Sequence, residues 1–179
     1  MIYNVAQLLK SPVGADNRAE IEGTVSLNSD DAAVIEPIIG EVRLQHMNQG
    51  ILAAGECDTT VQLQCVRCLE NYEMPLHMEF SDVYLPTIDV VTGRSLPHSD
   101  DDDAFPIDDH HHLDLSDGIR QGIILALPMQ PLCREDCAGL CSVCGNNRNV
   151  KPCTCEAQAD ARWSALAALS LELPDESMN

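Results

Sequence analysis

The stretch CREDCAGLCSVCGNNRNVKPCTC spans residues 133–155 and holds six of the chain's nine cysteines. It contains almost no large apolar side chain, so it cannot fold around a hydrophobic core of its own. A metal ion bound by several thiolates supplies folding free energy in segments of this kind. The stretch therefore predicts a small metal-held module, and its candidate ligands are Cys133, Cys137, Cys141, Cys144, Cys153 and Cys155.

The segment CSVCGNN predicts the firmest ligand pair, Cys141 and Cys144. Two thiolates three residues apart on a tight turn can both reach one zinc ion at about 2.3 Å, and Gly145 gives the turn its backbone freedom. A structural zinc site takes four ligands, so a second pair is required. Two pairs compete for that place: Cys153 with Cys155, which we prefer, and Cys133 with Cys137.

Other interpretations of the cysteine-rich stretch are weaker. Its spacing matches no standard ferredoxin run, which argues against an iron–sulfur cluster. A thioredoxin-like dithiol normally begins a helix after a strand in a βαβ unit, and the sequence predicts no such unit. Nine is an odd number of cysteines, so complete pairing into intramolecular disulfides is impossible. Structural zinc is therefore the favoured interpretation.

A second CxxC pair, Cys65 and Cys68 in LQCVRCLE, lies at the end of a predicted strand. Two ligands alone hold zinc poorly, so this pair needs partners from elsewhere in the fold. Two interpretations stay open in equal measure. The pair is either an ordinary β-turn, with Cys57 as an unrelated core thiol, or a second metal or thiol site.

The region before the cysteine-rich stretch predicts an antiparallel sheet over residues 19–84, closed or strongly curled over its own core. Short, partly alternating segments such as EIEGTVSL, GILAAGECD and TTVQLQCV predict separate strands; as a group they are rich in Val, Ile and Thr and are separated by turn residues. A short helix over residues 4–10, capped by Asn4, precedes the sheet. We therefore predict a mainly β body over residues 1–85.

Residues 86–113 combine prolines, a four-Asp run and three consecutive histidines, which predicts a solvated acidic loop. The next segment, LDLSDGIRQGIILALP, predicts a helix within residues 114–131, because its apolar side chains recur at steps of four. Asp114 or Ser116 caps the start of this helix, and Pro128 ends it.

The chain closes with the cysteine-rich module over residues 132–173 and a frayed tail over residues 174–179. Within the module, DARWSALAALSLEL predicts a short terminal helix. The expected fold class is therefore α+β: a curled antiparallel sheet body with few helices, followed by a zinc-held cysteine-rich loop and a short helix.

The charge balance of the chain bears on its partners. There are 10 Lys and Arg residues against 29 Asp and Glu residues, and the formal net charge is −19. Such a chain repels phosphate backbones, so nucleic-acid binding by the whole chain is not expected, whereas a basic protein partner fits. The sequence has no signal-peptide pattern and no apolar run that could span a bilayer. We expect a soluble cytoplasmic protein without membrane contact.

Other chemistry-bearing residues are weaker candidates. His110, His111 and His112 beside Asp108 and Asp109 could bind a divalent ion, but a His/Asp run in a loop is usually a solvated surface. No P-loop, G-x-S-x-G or dinucleotide-binding turn is present, so we expect neither catalysis nor a small-molecule substrate. Two histidines on predicted strands are expected to be structural: His46 and His77.

Several motifs occur together in a fixed order: CVRCLE, ALPMQPLC, CAGLCSVCG, CTC and DARWSAL. In this combination, from about residue 57 to residue 171, the chain resembles the YceD-like family, the large ribosomal RNA subunit accumulation proteins. The resemblance implies a role in making or maintaining large-subunit ribosomal RNA, without a known catalytic reaction.

The leading expectation is a non-enzymatic factor for assembly of the large ribosomal subunit, with structural zinc and a basic large-subunit protein or assembly factor as partner. Residues 133–162 carry four basic against four acidic residues, so any direct contact with ribosomal RNA is expected there. Two alternatives stay open. One is a thiol-based redox or metal-handling protein that uses Cys65 and Cys68, and the other is a direct RNA-binding zinc module that depends on Arg148 and Lys151.

Overall fold

The computed structural model describes residues 1–29, 31–96, 104–156 and 162. The described part of the chain is mostly sheet, with two helices. In chain order its elements are β1 (Ile2–Asn4), α1 (Ala6–Lys10), β2 (Asp16–Gly23), β3 (Ala32–Val34), β4 (Ile38–His46), β5 (Ile51–Gln64), β6 (Asn71–Pro86), β7 (Phe105–Ile107), β8 (His112–Asp114) and α2 (Ser116–Ala126).

The chain divides into two compact units. Unit 1 comprises Met1–Val66 and Glu70–Cys133, and it contains every strand and helix named above. Unit 2 comprises Arg67–Leu69 and Arg134–Asn179, and its described residues form turns and loops.

The sheet of unit 1 is built on a long hairpin of β5 and β6. These strands pair antiparallel from Ile51 opposite Tyr84 to Gln64 opposite Asn71. Buried and exposed positions alternate along most of both strands, as expected for a sheet with one face on the core. The sequence predicted two separate strands, GILAAGECD and TTVQLQCV, but β5 continues through both because the alternation is unbroken at Asp58.

The remaining strands join this hairpin in the order β2-β4-β5-β6-β7, and β3 pairs with β5 beyond the end of β4. Every pair in this sheet is antiparallel except β6 with β7, which is parallel and was not predicted. β1 and β8 form a separate two-stranded antiparallel sheet. The predicted antiparallel sheet is therefore present, but its strands do not close into a barrel within the described residues.

The segment 86–113 contains more structure than the predicted solvated loop. β7 pairs with β6, β8 pairs with β1, and the side chains of Ile107 and Leu113 are fully buried. Strands of three residues are too short to produce a detectable alternation, so the sequence pattern could not reveal them. The four-Asp run at residues 100–103 lies outside the described part of the chain.

Both helices expected before the cysteine-rich stretch are present and are shorter than expected. α1 has Val5 as its N-cap residue instead of Asn4. α2 has Leu115 as its N-cap residue, which lies between the two predicted caps, and its C-cap residue is Leu127, directly before Pro128. The sequence therefore predicted the end of α2 before Pro128 more accurately than it predicted the N-cap residues of the two helices.

The terminal helix predicted after the cysteines, together with the tail at residues 174–179, lies outside the described residues. Among the residues that the structure describes, no helix is long and apolar enough to cross a membrane.

The apolar core of unit 1 combines inward-facing residues of the sheet with the buried side of α2. Burying one such side chain stabilises a fold by about 1.5–3 kcal/mol, so unit 1 can fold on apolar contacts. Cys57 lies within this core. The largest fully buried side chains of the core are Tyr84, Ile21, Ile38, Ile51, Ile107, Leu113, Leu115, Ile119, Ile123, Val5, Val42 and Val61.

Candidate metal centres

Eight of the nine cysteines lie in two groups of four. In each group the sulfur atoms lie within 4.8 Å of one another. Four thiolates bound to one zinc ion at about 2.3 Å would be about 3.8 Å apart, so a small inward movement brings each group to that geometry. Both groups could therefore bind a metal ion. The distal group is Cys141, Cys144, Cys153 and Cys155, and the proximal group is Cys65, Cys68, Cys133 and Cys137.

The distal group unites the firmest predicted ligand pair with the preferred partner pair. The competing pair, Cys133 and Cys137, is placed with Cys65 and Cys68 instead. The two candidate pairs therefore do not compete for one place, which the spacing of the six clustered cysteines could not reveal. Cys57 belongs to neither group. Metal binding by these thiols stays a prediction.

A tight turn from Cys141 to Asn146 organises the distal group. The Cys141 N–H donates to the Asn146 carbonyl oxygen at 2.8 Å, and the Gly145 N–H donates to the Cys141 carbonyl oxygen at 2.9 Å. Gly145 has a φ of 73°, in the left-handed region that glycine adopts without strain. The Val143 N–H points at the Cys141 Sγ at 3.5 Å. The turn thus presents backbone donors to the ligand sulfur.

Backbone donors and neighbouring thiols move two pKa values of the distal group in opposite directions. The pKa of Cys141 is lowered to about 6, first by the N–H of Cys144 and then by that of Val143. The pKa of Cys155 is raised to about 12, first through its hydrogen bond with the Cys144 thiol. Four adjacent thiolates repel one another, so they cannot all ionise unless a cation lies among them. The group is therefore electrostatically suited to a divalent cation.

The chain repeats the same kind of turn at residues 65–70. The Cys65 N–H donates to the Glu70 carbonyl oxygen at 2.9 Å, the same five-residue link that the distal turn makes. The residue after the second cysteine again has a left-handed backbone, but here it is Leu69, with a φ of 60°. A residue with a Cβ is strained there by about 1–2 kcal/mol. The first CxxC thus adopts a backbone like that of the distal turn.

Arg67 forms hydrogen bonds with the loop of unit 2 that carries Cys137. Its Nη1 donates to the Cys137 carbonyl oxygen at 3.1 Å, and its own carbonyl oxygen accepts a hydrogen bond from the Leu140 N–H at 3.0 Å. Gly139 lies against it with a φ of 67°, and a Cβ at this glycine would be 3.0 Å from the Arg67 carbonyl oxygen. The Arg67 guanidinium therefore supports the loop.

Asn149 is a supporting residue that sequence analysis missed. Its Oδ1 accepts hydrogen bonds from the Ala138 N–H at 2.8 Å and from Arg134 Nη2 at 2.6 Å. Its Nδ2 donates to the Cys137 Sγ at 3.3 Å. Such partners orient a ligand and favour the thiolate. The Asn-rich run between Cys144 and Cys153 was the available signal.

Asp108, Asp109 and His110 of the His/Asp run are exposed, whereas His111 and His112 are half-buried. Asp108 accepts hydrogen bonds from the N–H groups of His112 at 2.6 Å and His110 at 2.9 Å, and the first of these is the main cause of its lowered pKa. Asp108, Asp109 and His110 bring their ligand atoms within 4.8 Å of one another, but all three residues are exposed. The exposed part of the run agrees with the solvated surface that the sequence predicted, whereas His111 and His112 are more enclosed than predicted.

The two single histidines on strands have protein partners. The His46 Nδ1 lies 2.8 Å from the Ser11 carbonyl oxygen. The His77 Nδ1 lies 2.9 Å from an Asp58 carboxylate oxygen, and this hydrogen bond is the main cause of the raised pKa of His77. Neither belongs to a potential metal-binding group among the described residues.

The family model "Large ribosomal RNA subunit accumulation protein YceD" matches residues 53–170 of the chain. The matched span is more than half of the chain and includes all eight cysteines of the two groups. No solved structure matches the chain.

Curated relatives come from bacteria and a plant. An uncharacterized protein of Mycobacterium leprae is 27% identical over 146 residues, covering 79% of this chain and 63% of the relative. An uncharacterized protein of Mycobacterium bovis is 26% identical over 129 residues, covering 72% and 60%. A chloroplastic Zea mays protein named "Large ribosomal RNA subunit accumulation protein YCED homolog 1" is 29% identical over 154 residues, covering 73% and 53%. The chain spans less than two thirds of the length of each relative.

The left-handed backbone at Leu69 predicts an unusual substitution effect. We expect Leu69→Gly to stabilise the zinc-loaded protein by about 1 kcal/mol, because glycine removes the strain of the Cβ. Gly145→Ala is the matched control at the equivalent position of the distal turn and is expected to destabilise by a similar amount. Thermal unfolding in the presence of zinc measures both, and a lower midpoint for Leu69→Gly than for the parent protein would contradict the turn geometry.

The hydrogen bond from Asn149 predicts an effect on metal affinity. We expect Asn149→Asp to weaken zinc binding by about 10- to 100-fold, because a carboxylate would replace the donor to the Cys137 thiolate. Asn146→Asp adds the same charge through an exposed side chain and serves as the control. Competition with a chromophoric chelator measures the affinity, and equal losses in the two variants would show that only charge matters.

Proposed function

The chain belongs to the YceD family of large ribosomal RNA subunit accumulation proteins, and from this premise we propose that it is a non-enzymatic factor supporting accumulation of large-subunit ribosomal RNA during assembly of the large ribosomal subunit. The observation that carries the proposal is the family match over residues 53–170. This match includes both cysteine groups, so the candidate metal centres lie within the part of the chain that the family shares.

We propose that the metal of the distal group is structural zinc. Four thiolates without a carboxylate or an open ligand position are the donor set of structural zinc sites, and soft sulfur ligands disfavour magnesium and calcium. The ion would supply folding free energy and hold together a segment that lacks apolar side chains. A catalytic zinc site instead keeps one position for water or substrate, so this donor set favours a non-enzymatic role.

The proposed partner is a basic large-subunit protein or assembly factor. The net charge of −19 favours association with a basic protein over association with bare RNA. The direct RNA-binding alternative draws support from exposed Arg148 and Lys151 in unit 2. Arg67 and Arg134 favour it less, because their guanidinium groups donate hydrogen bonds within unit 2. The redox alternative is disfavoured by burial, since Cys65 and Cys68 are 0% and 3% exposed.

The zinc proposal predicts a difference between two cysteine variants. We expect Cys144→Ser to lower the zinc content by one ion per chain, because a distal group with three thiolates holds zinc poorly. Cys57→Ala, which alters a cysteine outside both groups, is expected to leave the zinc content unchanged. Elemental analysis of proteins purified under reducing conditions measures both variants. A folded parent protein without zinc would contradict the proposal.

The ribosomal proposal is tested by capture of the full chain from its host lysate, with and without nuclease. We expect large-subunit proteins to remain bound after nuclease treatment, because the acidic chain contacts protein directly. RNA as the sole captured component would instead favour the RNA-binding alternative, and Arg148→Gln with Lys151→Gln should then abolish capture. The matched control is Lys10→Gln with Arg94→Gln. Capture of no large-subunit component would contradict the proposed function.

A further inference from the structure

The outward face of the sheet in unit 1 carries an ordered row of four glutamates across four neighbouring strands. Glu20 in β2 lies opposite Glu41 in β4, Glu41 lies opposite Glu56 in β5, and Glu56 lies opposite Glu79 in β6. All four side chains are exposed, whereas the next residue after Glu41, Val42, is buried in the core. The row therefore lies on the face opposite the core.

The glutamates of this row lie opposite one another as like charges. Like charges directly opposite one another destabilise a sheet. None of the ion pairs among the described residues includes a glutamate of the row. Two residues before Glu20 on β2, Arg18 lies opposite Arg43 of β4. The Arg43 Nε lies 3.1 Å from a carboxylate oxygen of Asp16. The sheet thus has a charge pattern that costs stability and that a cationic partner would relieve.

A groove of about 560 Å³ lies over the same part of the sheet. Glu41, Glu56 and Glu79 line it together with Arg18 and Arg43. The groove therefore presents a cationic position beside an anionic row, which distinguishes it from a uniformly acidic surface. A bound segment with both charges could be oriented by this pattern.

Two glycines lie in β4 and β5, next to the glutamates in the middle of the row. A Cβ on Gly40 would overlap the carbonyl oxygen of Glu56, and a Cβ on Gly55 would overlap the carbonyl oxygen of Glu41. Both obstacles are backbone atoms of the neighbouring strand, so only glycine fits at these two positions. The two glycines therefore allow β4 and β5 to pair directly beneath the row.

The spacing of the row selects one kind of partner segment. Neighbouring strands are about 4.8 Å apart, so the carboxylates repeat at roughly that interval. Side chains three or four residues apart on a helix are about 5–6 Å apart. Side chains on one face of an extended chain are about 6.6–6.8 Å apart. A helix laid across the strands therefore matches the row better than an extended segment does.

We propose that this sheet face binds an α-helix of a partner protein whose Lys or Arg side chains recur every three or four residues. The glutamate row pairs with these cations, and Arg18 and Arg43 favour a helix with an acidic residue beside the basic stripe. The inference deepens the proposed function by naming the surface that receives a basic partner. The identification of the partner as a large-subunit component rests on the proposed function, whereas the binding of a basic helix does not.

The first test uses two synthetic helical peptides and the full-length protein. One peptide is alanine-based with lysines at every fourth position, and the other has the same composition with its lysines distributed around the helix. We expect the parent protein to bind the striped peptide more tightly. Glu41→Gln with Glu56→Gln should weaken that binding about tenfold, because two exposed charge pairs are lost.

The control is Glu73→Gln with Glu135→Gln, which removes the same charge outside the row and is expected to change the affinity by less than about twofold. Thermal unfolding shows that the row variant is folded, and its midpoint should rise because opposed like charges are removed. Equal binding of the two peptides, or an equal loss in the row and control variants, would overturn the proposal.

The second test separates this surface from the ribosomal role. The row variant and the parent protein are each used to capture large-subunit proteins from nuclease-treated host lysate. Loss of those proteins in the row variant supports both inferences, whereas full retention overturns the surface and leaves the ribosomal role standing. If the parent captures no large-subunit protein but binds the striped peptide through the row, the surface stands and the ribosomal role fails.

Discussion

The folding of unit 2 depends on what holds its thiols together. Among its described residues, none belongs to the hydrophobic core cluster, which lies in unit 1. Its loops are positioned by a hydrogen bond that Arg67 donates, by one that Asn149 accepts, and by the turn at Cys141. Individual hydrogen bonds contribute only about 0.5–1.5 kcal/mol each, so they do not replace a core. The proposed zinc ion is the interaction that would make unit 2 a folded structure.

Unit 1 is stabilised by an apolar core, so the outward face of its sheet can carry charged side chains. Its apolar side chains fill the core between the sheet and α2. The outward positions of the strands therefore do not have to contribute to folding, and a row of opposed glutamates can be kept at a tolerable cost. The family match covers parts of both units. In the proposed function, the metal holds unit 2 together, and the acidic sheet face of unit 1 receives a basic partner.

The sequence predicted features whose physical signal is local. Alternation revealed the strand segments of the sheet, although it divided β5 into two, Pro128 indicated the end of α2, and CSVCG revealed the distal turn. It could not predict the parallel pairing of β7, because a three-residue strand has no periodicity and its neighbour is set by the tertiary fold.

Two features of the candidate metal centres also lay beyond sequence reasoning. The partners of Cys65 were hidden because spacing within one stretch says nothing about a dithiol some 70 residues upstream. The role of Asn149 depends on side-chain hydrogen bonds to Ala138 and Cys137, and asparagine in a turn is too common to indicate such a role.

Hydrogen exchange of the Cys141 amide, before and after removal of zinc by a chelator, tests the central claim most directly. This amide donates to the Asn146 carbonyl oxygen, whereas the amide of Val42 lies in the core strand β4 of unit 1. The account predicts that zinc removal abolishes protection at Cys141 and leaves protection at Val42 intact. Unchanged protection at Cys141 in the metal-free protein would contradict it, because the turn would then fold without the ion.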